Sequence, residues 1–178
     1  MSIAKALSGM LGCHFVCCSQ PSLFKGAVLL APMLSLEKIA KKGLNPYLKP
    51  IASLLSWAVP ALPVAENGKN TKFPAIQEAF DKDPGTWTQM TRARVANEYL
   101  RVTSELTKLF PSMEFPFLCI HSKEDTFTDP EGSALMHEKA QSKDKTLHLI
   151  DDMWHFLMHE PGNEKVQEIV LEWLKQRC

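Results

Sequence analysis

Phe117-Leu118-Cys119-Ile120-His121-Ser122-Lys123-Glu124-Asp125-Thr126-Phe127-Thr128-Asp129-Pro130 is the stretch whose reading decides the fold. Phe117 to His121 (FLCIH), opened by Pro116, is a short unbroken apolar run ending on a histidine, as a strand buried on both faces reads. A polar loop follows, and Pro130 sits where the first residue of a helix tolerates proline. Leu135, Met136 and Ala140 then give Pro130 to Ser142 a helical period. Outward from this unit the pattern repeats. Ala27 to Pro32 (AVLLAP), preceded by Gly26 and closed by Pro32, is an earlier run of the same kind, and Thr146 to Ile150 (TLHLI) is a later one. Glu164 to Gln176 places Val166, Ile169, Val170, Trp173 and Leu174 on one helical face. Buried strands alternating with helices imply an α/β fold with a parallel sheet covered on both faces.

Residues from about Leu34 to Phe110 break this alternation. Asn45 to Pro63 is apolar and helical but cut by four prolines, with Leu54, Leu55 and Trp57 clustered. Asp83-Pro84-Gly85 reads as a turn, and Thr88 to Phe110 as a long helix carrying Arg92, Arg94 and Arg101. There is no internal repeat and no linker that would split the chain, so residues 1–178 read as one domain with an insertion over about 34–110.

The composition narrows the function. The chain has 178 residues, with 20 Lys+Arg balanced by 20 Asp+Glu. A zero balance without blocks of like charge argues against nucleic acid or an anionic membrane surface as the main partner. No apolar run reaches the ~20 residues of a spanning helix. Ala6 to Cys18 has the length of a signal-peptide core, but no small-x-small cleavage site follows it, and it reads as an apolar helix. The five cysteines form no disulfide framework, which points to a reducing, cytoplasmic setting. Cys13, His14 and Cys17 lack a second ligand pair and read as buried helical thiols rather than a zinc site. No metal or cofactor is expected.

Chemistry-bearing residues gather after two of the strands. Asp125 and Asp129 follow the run ending at His121, and Asp151-Asp152-Met153-Trp154-His155 follows the run ending at Ile150. In an open parallel sheet, ligands and reactive groups collect at the carboxyl ends of the strands. An acid after one strand and a histidine after the next suit an oriented imidazole base, as a Ser–His–Asp triad requires. The order acid then histidine is that of α/β-hydrolases. The structural alternatives are a helix cap, for which Asp129 is placed before Pro130, and a histidine simply packed beside Trp154.

These segments resemble the monoacylglycerol lipase-like family of α/β-hydrolases, a serine aminopeptidase-type group with caffeoylshikimate-esterase-like and lysophospholipase-like members in plants. The resemblance runs from PSLFKGAVLLAPM (Pro21 to Met33) through Phe115 to Leu118 and the His-x4-Asp-x2-Thr-Asp-Pro pattern over His121 to Pro130. It continues through SKDKTLHLI (Ser142 to Ile150), MWH (Met153 to His155) and HEPGNE (His159 to Glu164). It implies that Asp125 is the triad acid and His155 the triad histidine, with Asp129 in a neighbouring turn. It also implies that the helical insertion is a lid over an acyl-chain pocket. Leu54, Leu55, Trp57 and Val59 would then face lipid-like substrate, the alternative being core packing. Hydrolysis of a lipid or other carboxylic ester would need only water, and any membrane contact would be peripheral, through the lid.

The sequence also departs from the family pattern. The family carries its nucleophile in Gly-x-Ser-x-Gly, where small neighbours permit a strained strand-to-helix elbow. The candidate here is Ser8 in Ala6-Leu7-Ser8-Gly9-Met10, which lacks both outer glycines. Ser122 stands where a glycine usually follows the strand-end histidine, and Asp152 replaces the glycine before the histidine loop. Their replacement predicts relaxed constraint on both loops. The family's oxyanion loop belongs to earlier strands, and at ~30 residues per strand–helix–strand unit the first four strands would need roughly 100 residues before Ser8. Only a stub of the central strand fits there. Loss of an oxyanion donor lowers acyl transfer by on the order of 10²–10³. The expectation is therefore a partial α/β-hydrolase fold, with its last three parallel strands, little activity and an open sheet edge beside Ala27 to Pro32 that invites self-association. The alternatives are an active esterase using Ser8, or a non-catalytic protein that binds a lipid or a partner.

Overall fold

The computed structural model describes residues 2–5, 25–36, 45–66 and 68–177, with backbone alone for 2–5 and 45–50. Ser8, Cys13, His14, Cys17, Cys18 and Cys178 lie outside the described residues or their side chains. In chain order the described elements are β1 (Ser2–Lys5), β2 (Ala27–Leu30), α1 (Asn45–Ala58), β3 (Pro63–Ala65) and α2 (Pro74–Lys82). They continue with β4 (Thr91–Arg92), α3 (Ala93–Leu109), β5 (Phe117–Ser122), α4 (Pro130–Lys139), β6 (Lys145–Ile150) and α5 (Asn163–Lys175).

The main sheet has the order β1-β2-β5-β6 with every pair parallel, and its registers include Ala27 with Phe117 and Phe117 with Lys145. Beside the three expected strands stands β1, a short strand where the sequence left room for a stub of the central one. Ser2–Lys5 pairs with Ala27–Leu30 residue for residue, so β2 is bonded on both sides. The open edge expected beside Ala27 to Pro32 is thus already occupied, and this corrects the reason for expecting self-association there.

Successive side chains of a strand point to opposite faces, and here each face meets its own apolar layer. Leu29, Phe117 and Cys119 face Leu34, Leu106, Phe110, Met113 and Met136, which places α3 and α4 on one side. Val28, Leu30, Leu118 and Ile120 face Val166, Val170 and Trp173 of α5 on the other. This double burial is why β2 and β5 read as unbroken apolar runs. Each such side chain contributes about 1.5–3 kcal/mol of burial. Gly26 permits the approach of α5, since a Cβ there would lie 2.7 Å from the Trp173 ring and 2.8 Å from the Pro116 carbonyl oxygen.

The segment between β2 and β5 splits in two. The long helix foreseen over Thr88 to Phe110 starts at Ala93 because Thr91 and Arg92 pair with Ala65 and Pro63 in a two-stranded antiparallel ribbon. Its far end is core, with Leu106 and Phe110 fully buried. The earlier part is not. Leu54 is 62% exposed and Trp57 83%, and Val59 is exposed too, so core packing does not account for these three, while Leu55 is half-buried. The Asp83-Pro84-Gly85 turn forms as expected, with the Gly85 N–H donating to Asp83 Oδ1 at 2.8 Å.

Candidate active site

Because β5 and β6 are adjacent and in register through Ser122 and Ile150, the loops leaving their carboxyl ends lie side by side. Asp125 sits in the first loop and His155 in the second, and His155 Nδ1 lies 2.7 Å from Asp125 Oδ2. Both side chains are buried, the carboxylate completely. The other carboxylate oxygen accepts the backbone N–H groups of Phe127 at 2.7 Å and Thr128 at 2.9 Å. This local turn is why the acid must come three residues before Thr128: it fixes the carboxylate plane and aims Oδ2 at the imidazole.

Two further groups press on the same oxygen. The Thr128 hydroxyl donates to Oδ2 at 2.8 Å, and His121 Nε2 lies 3.2 Å away. His121 Nδ1 meets Ser133 Oγ at 2.7 Å. With the Ser133 hydroxyl donating to Nδ1, the His121 ring proton stands on Nε2 and points at the carboxylate, an assignment made from the network. Burial pushes the Asp125 carboxyl upward. The hydrogen bonds from His121 and His155, the charge of His155 and the Thr128 N–H outweigh it and hold the group well below its ordinary value. Asp125 is therefore an ionised acceptor at neutral pH. It faces Nδ1 of His155, whose Nε2 has no partner among the described residues, the arrangement of acid and imidazole found in a Ser–His–Asp triad.

Aromatic rings hold the imidazole in place. Phe127 lies 4.7 Å from its centroid, with Phe156 and Trp154 edge-on at 5.4 and 5.8 Å. Trp154 Nε1 donates to Thr126 Oγ1 at 2.9 Å, tying one loop to the other. Asp129 makes no hydrogen bond or ion pair with His155. It caps α4, its carboxylate accepting the Glu131 N–H at 3.1 Å, as the helix-cap reading anticipated.

The two glycine replacements behave differently from the expected relaxation. Ser122 is fully buried; its hydroxyl donates to the Met153 carbonyl at 2.5 Å and accepts the Glu124 N–H at 3.1 Å. It bridges the acid loop to the histidine loop and tightens them. Asp152 does occupy a backbone that glycine prefers, at φ 63°. Its side chain is 98% exposed, while its N–H donates to Glu124 Oε1 at 3.1 Å.

Glu160 is the residue that sequence reasoning missed. Fully buried, it accepts three successive N–H groups, those of Trp154 at 2.5 Å, His155 at 3.0 Å and Phe156 at 2.8 Å. Its place in HEPGNE was visible, but a carboxylate that folds back on the backbone five residues earlier leaves no periodic signal. The histidine also lines a cavity of about 700 Å³ with Leu30, Ala75, Ile76, Ala79, Phe80 and Met158. Among the described residues no cluster of His, Cys, Asp or Glu is arranged as a metal site, and no described helix is long and apolar enough to cross a membrane.

The family model described as "Serine aminopeptidase, S33" matches residues 3–162. The chain belongs to this α/β-hydrolase family. Within the family it is 30% identical over 167 residues to a caffeoylshikimate esterase of Arabidopsis thaliana, covering 89% of this chain and 49% of that protein. It is 23% identical over 168 residues to a monoglyceride lipase of Mus musculus, covering 91% and 54%. The chain thus spans about half the length of the curated relatives it matches. The fold agrees with a Paleococcus ferrophilus monoacylglycerol lipase at TM-score 0.81 and 20% identity, over 99% of this chain and 68% of that one. A Saccharomyces cerevisiae monoglyceride lipase variant gives 0.76 and 18%, over 98% and 61%. The relatives are of the serine-hydrolase, acylglycerol lipase and esterase kind, which is the group the sequence pattern pointed to.

Proposed function

We propose that the chain carries the acid–base pair of a carboxylic-ester hydrolase, with His155 as general base and Asp125 as the acid that orients it. The observation that carries this reading is the 2.7 Å contact between His155 Nδ1 and the buried Asp125 carboxylate, with Nε2 unpartnered among the described residues and His155 lining a mostly apolar cavity. A neutral imidazole held in this tautomer accepts a hydroxyl proton as the oxygen attacks an ester carbonyl, then returns it to the leaving alcohol. The candidate nucleophile is Ser8, outside the described residues, and an active esterase using it is the alternative reading. Its Ala6-Leu7-Ser8-Gly9-Met10 setting lacks the outer glycines of an elbow, so turnover by this chain is low.

The mostly apolar lining of the cavity suits an acyl chain, and α2, which supplies Ala75, Ile76 and Ala79, acts as part of a lid within the insertion, ahead of the core-packed end of α3. The substrate class is a lipid or related ester, in line with relatives named as lipases and an esterase. Exposed Leu54, Trp57 and Val59 provide peripheral membrane contact on the lid.

Two measurements test the reading. A p-nitrophenyl ester and a fluorophosphonate probe are offered to the purified chain and to His155→Ala. Turnover close to background and negligible labelling of Ser8 are expected, and vigorous turnover lost in His155→Ala would overturn the low-activity part. A monoacylglycerol ether, which cannot be hydrolysed, is titrated while the His155 ring signals are followed by NMR. Shifts with a long-chain ether but not with glycerol are expected; silence with both would remove the acyl-chain reading.

A further inference from the structure

Glu160 joins two parts of the chain that are far apart in sequence. Besides the three N–H groups of Trp154, His155 and Phe156, its Oε1 accepts the Asn70 side-chain amide at 3.3 Å, across 90 residues. Asn70 is itself buried. Its Oδ1 accepts the Phe73 N–H at 2.8 Å, just ahead of α2, and its own N–H donates to Gln77 Oε1 at 2.7 Å. Because Oδ1 is committed to a backbone donor, the NH₂ group must face Glu160. The amide is therefore clamped by α2 on one side and by the histidine loop on the other. Further along the same helix, Phe80 packs on Phe156, with ring centroids 5.4 Å apart. Helix α2 and the turn before it thus meet the histidine loop at two points that follow His155, namely Phe156 and Glu160.

We propose that Glu160 is a positioning residue for His155, and that Asn70 extends its hold into α2, so the seating of α2 governs the orientation of the imidazole. No cation among the described residues pairs with Glu160. Its charge is balanced by four N–H donors, and bonds to an ionised acceptor are roughly twice as strong as neutral ones. Three of those donors are consecutive backbone groups centred on His155 itself. A carboxylate so placed dictates the path of the loop and hence where the imidazole meets Asp125. If α2 lifts away with the turn before it, the carboxylate loses its fourth donor and Phe156 loses the Phe80 ring. The loop is then free to relax. The inference rests on the reading of Asp125 and His155 as an acid–base pair, and makes the lid helix part of the base's support.

The test uses the full chain and needs no turnover. Hydrogen exchange is followed at the amides of Trp154, His155 and Phe156, together with the downfield Nδ1 proton of the His155–Asp125 hydrogen bond. In Asn70→Ala the three amides should exchange about tenfold faster, the effect of one weakened hydrogen bond, and the Nδ1 proton signal should move. Strands β5 and β6 should keep their protection. Glu160→Gln retains one acceptor oxygen and should show a graded version of the effect, which covers the case of Glu160→Ala failing to fold. Faster exchange confined to residues 68–82 in Asn70→Ala, with His155 unchanged, would overturn the coupling. An unchanged His155 signal in Glu160→Gln would overturn the positioning role. Failure of the acid–base reading shows separately, as a missing Nδ1 proton signal in the unsubstituted chain.

Discussion

The loops after β5 and β6 and the helices between β2 and β5 are both irregular in sequence, yet they are held in opposite ways. Within the loops, the buried carboxylates of Asp125 and Glu160 are each satisfied by several donors, and both hold His155. Burial without those partners would cost more than folding returns, so the network makes the site rigid. Helix α2 buries none of its residues, and α1 exposes Leu54 and Trp57. Helix α1 leans on α3, whereas α2 reaches the site loops through contacts such as Asn70 to Glu160 and Lys72 to Glu124 at 2.8 Å. The difference sets a densely hydrogen-bonded pair of loops against a helix, α2, that buries no side chain of its own.

The sharpest way to break this contrast is to remove Asp125. Asp125→Ala leaves His121 and Thr128 facing an empty acceptor and should cost about 3–5 kcal/mol, read from urea unfolding. The milder Asp125→Asn isolates the charge. The folded carboxyl titrates below the unfolded value of 3.8, so the unfolded chain takes up its proton first as the pH falls. The stabilisation is complete above the unfolded value and disappears as the pH drops through the lower folded one. Unfolding midpoints between pH 7 and pH 3 should therefore fall more steeply for the unsubstituted chain than for Asp125→Asn; parallel curves would contradict the network.

Next in size is a pair of truncations. Leu106→Ala, in the buried end of α3, should cost about 2–5 kcal/mol, whereas Trp57→Ala should stay within about 0.5 kcal/mol. Equal losses in thermal denaturation would mean the segment between β2 and β5 is one cooperative unit. Ser122→Ala removes the hydroxyl that joins the two loops and should cost about 1–3 kcal/mol. The smallest effect has the opposite sign. Asp152→Gly relieves a left-handed backbone and should raise the melting temperature by an amount equivalent to under about 1 kcal/mol. A fall on that substitution would show that the Asp152 side chain does more than tolerate its position.

Local chemistry made much of this legible. Pro130 starts α4 and Asp129 caps it because a missing N–H and a short carboxylate suit the first turn whatever lies around them. The pairing of Asp125 with His155 was readable once a family pattern was matched, since adjacent parallel strands bring their loops together. Ser122 was misread because a serine in place of glycine says nothing about whether a carbonyl stands opposite to receive its proton. Asn70 carried no signal at all, because its partner lies 90 residues away.

The unbroken runs at Ala27 to Pro32 and Phe117 to His121 dictated a doubly covered parallel sheet, because only burial on both faces tolerates such apolar strands. The acid-before-histidine order followed from residues alone. Which groups satisfy the buried carboxylates of Asp125 and Glu160 was decided only when the sheet brought distant segments together. A hydrogen bond needs a partner within about 3 Å, and chain position does not supply that distance.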